Sequence, residues 1–349
     1  MNHIQFIAGP CSAESEEQVF QTAKALQSTT SLAYFRAGIW KPRTNPNTFE
    51  GMGKVALPWM QRVQKELNLK IITEVATTDH VDQVLKAGFD AVWIGARTTV
   101  NPFSVQEIAE ALRGSSIPVF IKNPINPDLS LWLGAFERFE RMGIENLTAI
   151  HRGFSVANKK PYRNKPLWEI PIAFKTQRPE IPIICDPSHI GGDRKLIKDI
   201  SQRALDLGMC GLMVETHPNP DAALSDAAQQ ITPETFSEML SNLHFRSEHT
   251  STLQIDTLNH LRERIDSIDQ EIIELLGKRM EISREIGAFK KQNEITIFQL
   301  ERWKEIIENR SQLGNEMLLT STFMEAYLEI LHKESIRQQN GVMNNDEEL

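Results

Sequence analysis

The sequence predicts a (β/α)8 barrel of the TIM type followed by a small all-α domain of three helices. Three observations predict it. Between residue 1 and about residue 245, eight short apolar runs of strand length alternate with segments of helix-like apolar spacing. Eight such units in that length match the size of a (β/α)8 barrel. Beyond a polar stretch, FRSEHTSTLQ, the pattern changes to a sustained 3,4 apolar spacing, the mark of long amphipathic helices.

The eight strand-like runs, in order, are IQFIAG (4–9), AYFRAGI (33–39), KIITEV (70–75), DAVWIG (90–95), PVFIK (118–122), NLTAI (146–150), PIICD (182–186) and GLMVE (211–215). Helical patterns such as SEEQVFQTAKALQ and DHVDQVLKAG follow most of them. In the last, TPETFSEMLSNL, Thr232 is placed to cap the helix, Pro233 suits its first position and Glu234 makes the first turn acidic. A doubly wound open sheet is the alternative, weakened because no G-x-G-x-x-G follows the first strand. The barrel is expected over 1–245 and a linker over 246–254. A helical domain is expected over 255–340 and a disordered acidic tail over 341–349. In the helical domain, Leu258, Leu261, Ile265, Ile268, Ile272 and Leu275, then Ile282, Ile286 and Phe289, predict one helix of about 30 residues. Two more are expected near 299–312 and 316–338.

The 349 residues carry a net charge of −8, which argues against nucleic acid as the main partner. Three cysteines, Cys11, Cys185 and Cys210, give no disulfide framework and fit a reducing compartment. No apolar run of about 18 residues exists to span a membrane. The N-terminus, MNHIQFIAGP, lacks the features of a signal peptide, so a cytoplasmic location is expected.

A (β/α)8 barrel carries its active site at the C-terminal ends of the strands. The polar residues there fall into two sets. Cys11, His189, Glu215 and Asp221 follow strands 1, 7 and 8, which are neighbours only if the sheet closes. One thiolate, one imidazole and two carboxylates suit a divalent ion, Mn²⁺ foremost, with Fe²⁺, Co²⁺ or Zn²⁺ as alternatives; each residue taken alone also fits an ordinary buried or solvated position. Lys41, Arg43, Arg97, Lys122 and Arg152 form the second set. Lys41 and Arg43 share the loop KPRTNP, which taken alone reads by its prolines as a solvated turn. Five cations converging on one rim suggest a phosphorylated substrate. Glu74, ending strand 3, either positions a water or is a solvated strand end.

The motifs AGPCSAES, RAGIWKPRTNPNTFEG, ITEV, IGAR, IKNP, DPSHIGG and VETHPNPDAALSDAAQQI resemble the 3-deoxy-D-arabino-heptulosonate 7-phosphate (DAHP) synthase family over almost all of residues 1–245. The resemblance implies condensation of phosphoenolpyruvate with erythrose 4-phosphate, release of phosphate, and a divalent metal. It implies that Arg36, Lys41, Arg97, Lys122 and Arg152 hold phosphoenolpyruvate, that Arg43 and Thr44 hold erythrose 4-phosphate, and that Cys11, His189, Glu215 and Asp221 bind the metal. The rival is the 3-deoxy-octulosonate 8-phosphate synthase group, which takes arabinose 5-phosphate and differs where Arg43 and Thr44 stand. Cys11 favours the metal-dependent form.

On the long helix the apolar stripe reaches position 279 and meets an arginine there. Arg279 and Lys290 lie ~16 Å apart on nearly the same face. They could grip the ends of a small dicarboxylate, or snorkel at the helix flank. The segment LRERIDSIDQEIIELLGKRMEISREIGAFKK, with Arg302 and ESIRQQ, resembles an all-helical chorismate mutase. That implies substrate contacts from Arg262, Arg279, Lys290, Arg302, Ser335 and Gln339, with Arg279 and Lys290 catalytic. Gln299 stands where an Asp is common, and Trp303 where a Glu that contacts the substrate hydroxyl is common. Arg262 precedes Arg279 by roughly 25 Å of helix, so one chorismate cannot bridge them within a chain. A homodimer through this domain is therefore expected. With strand 1 starting at about residue 4 and no separate regulatory domain before it, prephenate or chorismate bound to the helical domain is the expected inhibitor of the barrel.

Overall fold

The eight apolar runs close into one parallel barrel whose strands follow sequence order, β8 pairing back onto β1 with Gly9 opposite Glu215. The computed structural model describes residues 4–41, 48–246 and 252–344. The strands are β1 (Gln5–Gly9), β2 (Tyr34–Arg36), β3 (Ile71–Val75), β4 (Ala91–Ile94), β5 (Val119–Lys122), β6 (Leu147–His151), β7 (Ile183–Cys185) and β8 (Gly211–Glu215). Both faces of each strand are buried, which is why the strands read as unbroken apolar runs. Alternate residues point to opposite faces. Ile7, Ile72, Ala91, Trp93, Phe120, Ile150, Ile184 and Met213 fill the barrel interior. Their neighbours Ala8, Phe35, Ile71, Val92, Ile121, Ala149 and Val214 pack outward against the helices.

The same period of two positions the chemistry. Two residues beyond the inward layer stand Glu74 after Ile72, Lys122 after Phe120, Arg152 after Ile150, Asp186 after Ile184 and Glu215 after Met213. A charged layer therefore sits directly over the apolar plug, at the C-terminal mouth of the barrel.

The surrounding helices are α1 (Glu16–Thr29), α2 (Leu57–Leu67), α3 (Thr78–Lys86), α4 (Ala96–Thr99), α5 (Pro102–Ala111), α6 (Leu129–Arg141) and α7 (Glu169–Gln177). They continue with α8 (Pro187–Gly191), α9 (Ile197–Asp206) and α10 (Pro233–Ser241). Thr232 caps α10 as expected, its side chain accepting from the Thr235 N–H at 3.1 Å.

The chain divides into two compact units, Met1–Glu248 and His249–Leu349. The second consists of α11 (Thr252–Gln292), α12 (Leu300–Glu316) and α13 (Ser321–Asn344). Two expectations are corrected here. α11 runs for 41 residues, starting inside the expected linker, because residues 252–254 contain neither proline nor glycine to stop a helix. α13 continues through 341–344, so the helix takes the start of the expected tail; residues 345–349 lie outside the described residues. Packing also divides α11. Its second half meets α13 so closely that a Cβ on Gly287 would fall 2.9 Å from Gln339 Cα. The apolar stripe lies off that contact: Leu258, Leu261, Ile265, Ile268, Ile272 and Leu275 in the first half, and Ile282, Ile286 and Phe289 in the second, are from 42% to 62% exposed within the chain.

Candidate active sites

Cys11, Glu215 and Asp226 each offer a donor atom within 4.8 Å of one another at the barrel mouth. Cys11 Sγ lies 3.3 Å from Asp226 Oδ2. His189 Nε2 lies 3.6 Å from Glu215 Oε1, and its Nδ1 lies 2.8 Å from Asp186 Oδ2. The expected Asp221 is not part of this group. It sits on an exposed 3-10 turn, Pro220–Ala222, with its side chain 83% exposed and paired with Arg194 at 2.8 Å. Asp226 takes its place because the loop after β8 is stitched back onto the barrel. The Cys11 N–H donates to Gln230 Oε1 at 3.0 Å, Ser12 and Ser225 hydroxyls meet at 2.6 Å, and Gln229 Nε2 donates to Glu215 Oε2 at 2.7 Å. Asp226 itself adopts a left-handed φ of 49°, a conformation aspartate tolerates better than most residues.

The donor set fits a divalent transition ion: a thiol, an imidazole and two carboxylates, with second-layer partners that orient the imidazole (Asp186) and one carboxylate (Gln229). Burial, then the nearby Glu215 carboxylate, pushes the Cys11 thiol up to about 12 despite the Lys41 ammonium beside it, so thiolate ligation needs the charge of a metal ion. Burial lowers His189, leaving the neutral imidazole that ligates metals.

The cations surround this cluster. Arg36 is fully buried, its Nη2 3.0 Å from Glu215 Oε1 and its guanidinium 4.9 Å from the Trp93 ring. Lys122 Nζ pairs with Asp186 Oδ2 at 2.8 Å and lies 5.7 Å from the same ring. Lys41 Nζ lies 3.1 Å from Cys11 Sγ. A cavity of about 310 Å³ is lined by Lys41, Glu74, Arg97, Lys122, Arg152 and His189, among others. Desolvation lowers Arg152 to about 10, still cationic at neutral pH. Glu74 reaches the cavity by accepting from Trp93 Nε1 at 2.9 Å. Gly95 makes room for it, since a Cβ there would fall 2.1 Å from Glu74 Oε1. Arg43 and Thr44 lie outside the described residues.

Sequence reasoning missed Asp186, Trp93, Arg163 and Asp226. Asp186 and Asp226 lie inside motifs already singled out, and the period of two from Ile184 points Asp186 inward. Arg163 lines the cavity from the loop after β6 and pairs with Asp226 at 3.2 Å. Its backbone N–H donates to Ile190 O at 3.0 Å, which fastens that loop beside α8.

In the helical unit a second cavity, about 460 Å³, is lined by Arg279, Lys290, Gln299, Arg302, Trp303 and His332, with Ser335 and Gln339. Arg279 donates to Ser335 Oγ, and Lys290 Nζ donates to Gln339 Oε1 at 3.0 Å and to Ile297 O at 2.6 Å. Five of the six expected residues thus converge. Arg262 does not: it is exposed and donates to Asn259, three residues away on α11.

Fold and geometry define a (β/α)8-barrel enzyme with a cation-walled cavity over a thiol–imidazole–carboxylate cluster, joined to a helical domain with a cationic cavity of its own. Residues 2–251 match the DAHP synthetase I family, and the chain belongs to it. Residues 261–340 match chorismate mutase type II, so the chain carries a 3-deoxy-7-phosphoheptulonate synthase domain and a chorismate mutase domain. The phospho-2-dehydro-3-deoxyheptonate aldolase of Thermotoga maritima is 31% identical over 241 residues, spanning 69% of each chain. Its crystal structure superposes with a TM-score of 0.62 at 30% identity, covering 69% of this chain and 68% of that one. The 2-dehydro-3-deoxyphosphooctonate aldolase of Magnetococcus marinus is 27% identical over 261 residues, 69% of this chain and 88% of that protein. Among the described residues no helix is long and apolar enough to cross a membrane.

Proposed function

We propose that the barrel condenses phosphoenolpyruvate with erythrose 4-phosphate to DAHP and phosphate, aided by a divalent metal. The observation that carries the anion site is Arg36. Among the described residues its Nε and Nη1 are buried without a hydrogen-bond partner, although the group is charged. Buried unpaired donors are costly, and an anionic ligand would satisfy them. Arg36, Lys41, Arg97, Lys122 and Arg152 then hold the carboxylate and phosphate of phosphoenolpyruvate. Arg43 and Thr44 are assigned to the aldose phosphate.

Cys11, His189, Glu215 and Asp226 would hold the metal, which when bound supplies Lewis acidity at a carbonyl oxygen. The protein's own groups align the enol C3 with the aldehyde carbon, where a C–C bond forms as the enol π bond is spent and the aldehyde C=O π pair moves to oxygen, which takes up a proton. Water then adds to C2, losing a proton, and Glu74 is placed to orient it. The tetrahedral adduct expels phosphate by breaking its C2–O bond, and the five cations stabilise the charge throughout.

The helical domain is assigned the rearrangement of chorismate to prephenate. One C–O bond breaks as one C–C bond forms, with no base required; Arg279 and Lys290 stabilise the charge developing on the ether oxygen. The exposed apolar half of α11 supports a homodimer, which brings Arg262 of the partner subunit to this cavity. Prephenate bound there is proposed to inhibit the barrel. Titrating prephenate into the synthase assay is expected to inhibit the full chain and not a chain truncated after residue 245; equal inhibition of both would dismiss this route.

A further inference from the structure

Three cations, Arg279, Lys290 and Arg302, wall the helical-domain cavity, and its buried acceptors are already engaged. Ser335 Oγ receives Arg279, and Gln339 Oε1 receives Lys290 at 3.0 Å. One polar atom there is different. Among the described residues, Nε2 of His332 is buried and has no hydrogen-bond partner. The ring is nonetheless held in place. It stacks on Trp303 with centroids 4.0 Å apart and planes 16° from parallel, and Phe298 meets it at 5.9 Å and 62°. Its orientation is therefore set by ring contacts that leave this nitrogen unspent.

We propose that His332 is a specificity-determining residue of this cavity, its Nε2 accepting a hydrogen bond from a ring hydroxyl of the cyclic dicarboxylate that the cations hold. The proposal deepens the mutase reading and rests on it. Guanidinium and ammonium groups only donate, and the Trp303 indole N–H only donates. They can hold carboxylates, but a buried hydroxyl proton still needs an acceptor. Burial, with Arg279 and Lys290 nearby, keeps the His332 imidazole below its ordinary range and so neutral at pH 7. The tautomer protonated on Nδ1 leaves a lone pair on the buried nitrogen. A ligand lacking the hydroxyl would leave that lone pair unpaired, so the site discriminates on this group. Gln299 is the other amide on the cavity wall, but it is exposed.

The test is calorimetric binding, to the full chain, of the bicyclic ether dicarboxylate that mimics the rearranging substrate, with its ring hydroxyl and without it. Wild type is expected to prefer the hydroxylated form by about tenfold, the size of one neutral hydrogen bond. His332→Phe keeps a ring on Trp303 and is expected to reduce the preference to within about twofold, while His332→Gln, which can still accept, retains part of it. The ratio is taken within one preparation, so partial loss of folded protein does not alter it. A tenfold preference surviving in His332→Phe, or vanishing instead in Gln299→Ala, would overturn the assignment. Equal wild-type affinity for the two compounds would overturn it and leave the mutase reading standing. Binding of neither would refute both.

Discussion

Asp226→Asn is expected to lower synthase turnover by about a thousandfold, the equivalent of about 4 kcal/mol of transition-state stabilisation. Asp221→Asn is expected to leave it within about twofold, as for an exposed surface change. The two aspartates are five residues apart in one loop. Only Asp226 lies with Cys11 and Glu215, whereas Asp221 pairs with Arg194 at the surface. The amide keeps the shape of the side chain, so the change tests its charge and ligating power. Titration calorimetry with Mn²⁺ supplies a readout apart from turnover: Asp226→Asn should weaken binding, Asp221→Asn should not. In the wild type, uptake should release about one proton per ion, because the Cys11 thiol, held near 12 in the absence of a metal ion, must ionise to ligate. Metal affinity therefore rises with pH. Equal losses in both variants, or no proton release, would count against this ligand set.

Arg279→Ala and Arg262→Ala are each expected to reduce chorismate turnover by about a thousandfold, by removing charge that stabilises the transition state. The first follows from the cavity that Arg279 lines. The second does not follow from one chain, where Arg262 is exposed and bonded to Asn259. It follows if the apolar half of α11 is covered by a second copy. The two variants should then complement. A mixed dimer has one site with Arg279 from one subunit and Arg262 from the other, and one site with neither. Co-expression in equal amounts is expected to restore about a quarter of wild-type activity, since half of the dimers are mixed and half of their sites are complete. Full activity in Arg262→Ala, or no recovery on mixing, would exclude a shared site.

The barrel was legible in the sequence because buried parallel strands are apolar on both faces, and eight such runs announce themselves without an alignment. The cations were legible for a related reason. Lys41, Arg97, Lys122 and Arg152 stand at or just past the end of an apolar run, and the barrel topology sends those positions to one mouth. Asp226 was not legible. No periodicity governs residues 216–230; their path is set by individual bonds, Gln230 to the Cys11 N–H and Gln229 to Glu215, whose donors come from opposite ends of the barrel sequence. Choosing the aspartate nearer to β8 along the chain gave Asp221, which the loop turns outward. The stripe on α11 shows a further limit. A 3,4 pattern states that a helix face seeks cover, not what covers it: α13 packs against Gly287, off the stripe, and among the described residues the stripe stays exposed from Leu258 through Phe289. His332 lies one turn before Ser335 on α13, where no spacing rule marks it.

The most direct test of the barrel's assignment is phosphate release from phosphoenolpyruvate by the full chain with Mn²⁺, given erythrose 4-phosphate or arabinose 5-phosphate separately. The comparison is pointed, because the chain is similar both to heptonate and to octonate aldolases. Turnover with erythrose 4-phosphate, and turnover at least about a hundredfold slower with arabinose 5-phosphate, is the expected result for a site whose polar contacts fit one aldose. Turnover of arabinose 5-phosphate at an equal or greater rate would contradict it.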